Sequence, residues 1–246
     1  MTSKERAAWR AKANGLEAIF QIGKEGISDN LIAQLDDALD VRELIKVRVH
    51  LESAPQPPKE LAQALGEALG ANVIQVIGGM IVLQRPIDEE KVRAKGREFA
   101  EKNVPVRWML MDDGWLSVHG DALYDLAPEK EKFPNGFAQM IRDIKRDTQV
   151  DWFGVWHALG GYWGGIEPGS DLAAKEQEHL YQNAPGKLIP WPDAAKGYGF
   201  YRDWYEYLKR EGISFSKVDG QSAVHNYFEN DLPLMTATRG MHGALE

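Results

Sequence analysis

The run Trp152-Phe-Gly-Val-Trp-His-Ala-Leu-Gly-Gly-Tyr-Trp-Gly-Gly165 sets the strongest limit on this chain's fold. An apolar stretch from Trp152 to Trp156 ends at a His, then opens into two glycine pairs and two aromatics. That order suits a buried parallel strand whose C-terminal end becomes a binding loop. Two more short apolar runs end in acidic residues, Val106 to Asp113 and Ile213 to Asp219. Helical spacing separates the three, at 88–102, 137–147 and 200–210. Strands alternating with helices predict parallel βα units, which gather functional side chains at strand C-terminal ends. Asp112 with Asp113, Trp156 with His157, and Lys217 with Asp219 would then converge.

Three chemistries fit that set. Carboxylates on different strands suit glycoside chemistry. Asp and His could also serve metal-assisted hydrolysis, but no H-x-H or H-E-x-x-H spacing occurs, and neither metal nor cofactor is expected. Plain structural salt bridging would leave the same pattern. Residues 169–196, rich in Pro and Gly, read as a lid-like insertion with one short helix.

The chain has 246 residues, no Cys and a net charge of −8. Lack of Cys excludes disulfides and thiolate metal sites and agrees with a reducing cytoplasm. The N-terminus lacks a signal-peptide core, and no apolar run approaches a membrane span. Residues 1–86 carry ten Lys and Arg against eleven Asp and Glu, so most of the negative charge lies beyond them. Positive charge concentrates locally at Lys4, Arg6, Arg10 and Lys12, then at Lys24, Lys46 and Arg48.

Within 1–86 the spacing predicts the order α-β-α-β-α-β-β, a small α/β layer. Ser28 is placed to cap a helix over 27–39. Ile45, Val47 and Val49 alternate against Lys46, Arg48 and His50 as in a one-faced strand. Leu61, Ala62, Leu65, Ala68 and Leu69 form the apolar stripe of another helix. Gly78-Gly79 marks a two-residue hairpin turn. Gly23-Lys-Glu-Gly26 lies between a strand and a helix N-terminus, where a backbone could approach a phosphate. An ordinary turn would read the same way.

The motifs Thr2-Ser-Lys-Glu-Arg, Asn14 to Ile27, Glu43-Leu-Ile-Lys-Val-Arg48 and Gln75-Val-Ile-Gly78 with Ile81-Val-Leu83 resemble the YhbY-type RNA-binding domain. The resemblance spans residues 1–86. It implies RNA binding, ribosomal RNA in particular, through Gly23, Lys24, Gly26, Lys46 and Arg48, in a family associated with ribosome assembly. Gly79 departs from the basic or bulky residue usual there.

Residues 87–246 resemble raffinose synthases and related α-galactosidases of glycoside hydrolase family 36. Asp112-Asp-Gly-Trp115, Phe133-Pro-Asn-Gly136, Phe153-Gly-Val-Trp-His-Ala158, Gly161-Tyr-Trp-Gly-Gly165 and Lys217-Val-Asp219 carry that likeness. It implies an α-galactoside partner, with Asp219 as retaining nucleophile. Asp112, Asp113 and Lys217 would bind sugar hydroxyls, and Trp115, Trp156, His157 and Trp163 would line the pocket. Three strands are expected here, where a whole β/α (TIM-type) barrel has eight. The barrel is therefore expected to be incomplete, without its acid/base carboxylate. An RNA-binding protein, a carbohydrate-active enzyme and a sugar-holding module all remain open at this point.

Overall fold

The computed structural model describes Met1 and residues 3–246. Thr2 and the Lys4 side chain, both in the basic opening segment, lie outside the described residues. The chain divides into two units, Met1–Ile87 and Asp88–Glu246.

The first unit runs α1 (Ser3–Asn14), β1 (Phe20–Ile22), α2 (Asp29–Val41), β2 (Leu44–Val49), α3 (Pro58–Leu69), β3 (Asn72–Ile77) and β4 (Met80–Gln84). This is the α/β order expected from the sequence. The sheet order is β1-β2-β4-β3, with β1 parallel to β2 and the other pairs antiparallel. Ile45, Val47 and Val49 are buried with Leu35, Leu39, Leu61, Leu65, Ile81 and Leu83, between the sheet and helices α2 and α3. Ala68 departs from its expected stripe and is exposed. Ser28 caps α2 by accepting the Leu31 N–H at 3.2 Å. Helix α1 lies on the opposite sheet face, where Trp9 and Ala13 pack on Ile74 and Val82. Arg6 and Arg10 donate to the Val73 and Ile74 carbonyls, so two of the opening cations serve the fold.

The second unit begins with α4 (Glu89–Glu101) and β5 (Trp108–Met111), then β6 (Leu116–His119) and β7 (Ala122–Pro128). Next come α5 (Ala138–Asp147), β8 (Trp152–Ala158), α6 (Asp171–Lys175), β9 (Leu180–Gln182) and β10 (Leu188–Pro190). The unit ends with α7 (Ala194–Arg210), β11 (Phe215–Asp219), α8 (Val224–Phe228) and α9 (Leu234–Leu245). Strands β5, β8 and β11 form one parallel sheet with β8 in the centre.

Its connections hold strands beyond the three expected. Residues 116–128 form an antiparallel hairpin, and a second hairpin joins 180–182 to 188–190 inside the expected insertion. These strands are short and register-shifted or interrupted by polar residues, so alternation hardly marks them. Helix α7 starts at Ala194, earlier than the expected residue 200, because Asp193 caps it by accepting the Ala195 and Lys196 N–H groups. Gly197 and Gly199 had obscured that start. Both are glycine because the Trp191 carbonyl and the His179 ring occupy the space of a side chain.

Helix α5 lacks a side-chain N-cap of its own. Instead Glu211, just past α7, accepts the Phe137 and Ala138 N–H groups at 2.6 and 3.0 Å. A carboxylate there satisfies two free donors and meets the positive end of the helix.

Candidate functional site

Two clusters hold the chemistry, one in each unit. In the first, β1 delivers the chain into Gly23-Lys-Glu-Gly26, closed by a Gly26 N–H to Gly23 carbonyl bond of 3.1 Å. Gly26 has φ +67°, and a Cβ there would stand 2.9 Å from Pro55, so the fold itself demands glycine. Gly23 has open space around it and no such φ, so nothing in the fold requires its missing side chain. The loop, Gln21 and the first residues of α2 line a hollow of about 280 Å³.

Ser28 already occupies the Leu31 N–H, and Glu25 places negative charge at the hollow. Attraction for an anion must therefore come from cations rather than from the helix end. Lys24 and Arg48 are exposed. Lys46 is half-buried and donates to the Leu16 carbonyl at 2.7 Å, which ties down the segment entering β1.

In the second unit, the C-terminal ends of β5, β8 and β11 bring charged groups together. The Lys217 ammonium donates to Asp112 Oδ2 at 2.9 Å and lies 3.3 Å from Asp219 Oδ2. The Trp156 indole N–H donates to the same Asp219 oxygen at 2.8 Å. That indole bond first, and the Lys217 ammonium with it, holds the Asp219 carboxyl below the usual carboxylate range against desolvation, which pushes it the other way. Asp112 chiefly, and Asp219 with it, raises the Lys217 ammonium. Asp219 and Lys217 thus stay ionised and solvent-accessible. Trp163, 45% exposed, leans over Trp156 with centroids 5.3 Å apart.

The remaining predicted residues sit differently. Asp113 accepts from the buried Tyr162 hydroxyl at 3.0 Å. Trp115 is enclosed, its indole N–H donating to the Trp156 carbonyl at 2.8 Å. His157, on the face of β8 opposite Trp156, is also fully buried, because this central strand is covered on both faces. Its Nδ1 donates to the Ala158 carbonyl and its Nε2 accepts from the Tyr205 hydroxyl. Burial lowers its pKa to about 4. The Trp115, Trp156 and His157 side chains are all enclosed, and Trp156 meets the charged cluster through its indole N–H. An aromatic or His at a strand end reads alike on either face, so spacing does not foretell which of these side chains is enclosed.

Residues 1–85 match the CRS1/YhbY (CRM) domain family, and residues 123–246 match the family described as raffinose synthase or seed imbibition protein Sip1. The relative named "Probable RNA-binding protein YqeI", from Bacillus subtilis, is 41% identical over 91 residues, 37% of this chain and 94% of that protein. The chain belongs to both families. "Probable galactinol–sucrose galactosyltransferase 6" of Arabidopsis thaliana is 27% identical over 197 residues, 65% of this chain but 26% of that protein. The chain thus spans about a quarter of the galactosyltransferase. A solved GH36 α-galactosidase from Geobacillus stearothermophilus is 18% identical, covering 68% of this chain and 30% of that one, with a TM-score of 0.45.

The raffinose synthase family match includes Trp156, Trp163, Lys217 and Asp219 and leaves Asp112 and Asp113 outside its bounds. Sequence reading missed Tyr162 and Lys187, which closes on the loop by donating to the Trp163 carbonyl at 3.3 Å. Tyr162 lies inside the glycine-aromatic run, so its position was visible though its bond to Asp113 was not. Lys187 sits in the unrecognised second hairpin and gave no signal.

Proposed function

We propose that this protein binds RNA, ribosomal RNA in particular, through the Gly23–Gly26 loop with Lys24 and Arg48. One observation carries the reading: a CRM domain places a side-chain-free Gly23, unneeded by the fold, beside exposed Lys24. A phosphodiester can approach the bare backbone there while the cations neutralise its charge, as G-x-x-G loops do in other modules. A role in ribosome assembly follows from ribosomal RNA as the ligand. The test is binding of the full chain to a ribosomal RNA fragment and to an unrelated RNA of equal length. Tighter binding to the ribosomal fragment is expected, and equal affinity would restrict the reading to RNA binding alone.

A second reading rests on the open cluster of Lys217, Asp112 and Asp219, backed by the buried Trp156 indole. Two carboxylates, an ammonium and an aromatic wall from Trp163 match what a hexose needs, hydrogen bonds to hydroxyls and a flat apolar contact. We infer an α-galactoside site, with Asp219 as the carboxylate facing the sugar carbon. Retaining hydrolysis also requires a protonated carboxyl roughly 5 Å from the nucleophile. Asp112 is engaged by the same Lys217 ammonium as Asp219, which places it among the hydroxyl-binding groups rather than as that acid. The chain should hold a galactoside without turning it over. An aryl α-galactoside assay with Asp219→Ala as the blank decides this, and hydrolysis well above the blank would overturn it.

A further inference from the structure

Helix α1 covers only part of the sheet face it lies on. On the uncovered part, pairing places Gln21 beside Arg48, Arg48 beside Met80, and Met80 beside Ile77. Each of the four alternates with a neighbour packed in the opposite core, Ile22, Val47, Ile81 and Val76, so all four point away from α2 and α3. Gln21, Arg48 and Ile77 are exposed, Ile77 at 64%, and Met80 is half-buried. His50 stands at the end of the row, its Nε2 2.6 Å from Gln21 Oε1. A carbonyl oxygen only accepts, so His50 Nε2 carries the proton. Nδ1, the second lone pair of Gln21 Oε1 and the two amide hydrogens of Gln21 are left to meet further polar groups.

Resting on the RNA reading above, we propose that this row is a platform for unpaired bases of the RNA whose backbone the Gly23–Gly26 loop holds. Continuity supports it, because Gln21 belongs both to the row and to the hollow lined by the loop. Composition supports it too. Arg48 offers a guanidinium plane and positive charge, Met80 and Ile77 offer apolar contact, and the Gln21–His50 pair offers donors and an acceptor to a base edge. Unpaired bases can meet all three, whereas the bases of an A-form duplex are stacked and inaccessible to such a face.

The experiment compares the full chain with the double variant Gln21→Ala/His50→Ala and with Ile77→Ser. Each binds a ten-nucleotide RNA and the same strand annealed to its complement, across a salt series. Parent protein should prefer the unpaired strand about tenfold. Both variants should lose about fivefold or more for that strand, lose most of the preference, and keep the parental salt slope, since no phosphate contact is removed. The substituted side chains are on the surface, and matching thermal melts establish that the fold is kept. Undiminished affinity in both variants, or a parent indifferent to pairing, overturns the platform and leaves the loop reading standing. Absence of any RNA binding by the parent overturns both.

Discussion

Two glycines three positions apart do different jobs. Gly26→Ala forces a Cβ to 2.9 Å from Pro55 at φ +67°, so the melting temperature should fall, by about 1–3 kcal/mol of stability. Gly23→Ala enters open space and should leave the melt unchanged while weakening RNA binding. Equal destabilisation by both, without a binding effect from Gly23→Ala, would show the loop to be a turn only. His157 supplies a pH signature. Its folded pKa of about 4 lies below the unfolded value near 6.5, so the unfolded chain binds the extra proton between those limits. Its contribution is fully present above pH 6.5 and is lost as pH falls toward 4, up to about 3 kcal/mol. His157→Gln should flatten that part of a stability-versus-pH curve, and an unchanged slope would rule the assignment out. Sequence spacing located His157 at a strand end, but only the strand's facing in the structure separates a core histidine from a sugar ligand.

At the level of elements, the clearest dependence is that of α5 on a residue far away in sequence. Glu211→Ala removes the acceptor of two helix N–H groups and should destabilise the second unit by about 1–2 kcal/mol. Glu211→Gln, which keeps an oxygen but no charge, should recover part of that. Denaturant melts of the two variants make the comparison, and equal losses would leave no role for the charge. The open face of β8 is equally constrained. The Phe215 ring crosses Gly154 at 2.3 Å from where a Cβ would stand, and Trp108 meets Phe215 edge-on at 5.9 Å. Elements with a strong period, β2, α3 and β8, were legible in the sequence because one face or both are buried. The hairpins at 116–128 and 180–190 were not, since their strands are short and their pairing comes from distant contacts such as Ile166 with Leu123 and Leu188. The Lys217, Asp112 and Asp219 cluster was legible as the ends of two strands, β5 and β11. The bond from the Trp156 indole to Asp219 follows from which face of β8 the indole occupies, and no pattern encodes that.

Taken as a whole, the molecule carries −8, a charge that repels RNA at long range. Residues 1–86 hold almost equal numbers of cations and anions, so RNA binding has to rest on placement rather than on bulk charge. The four-residue loop, Lys24 and Arg48 then become the chain's main claim to a function, and the salt dependence of affinity is the direct measure of it. Each phosphate contact releases counterions and adds roughly 0.7–0.9 to the slope of log affinity against log salt. The measurement is this slope for the full chain and for Lys24→Ala/Arg48→Ala, on one structured ribosomal RNA fragment. The account predicts tighter binding by the parent at every salt concentration and a slope shallower by roughly 1.4–1.8 in the variant, the loss of two contacts. Superimposable salt curves for parent and variant would contradict it.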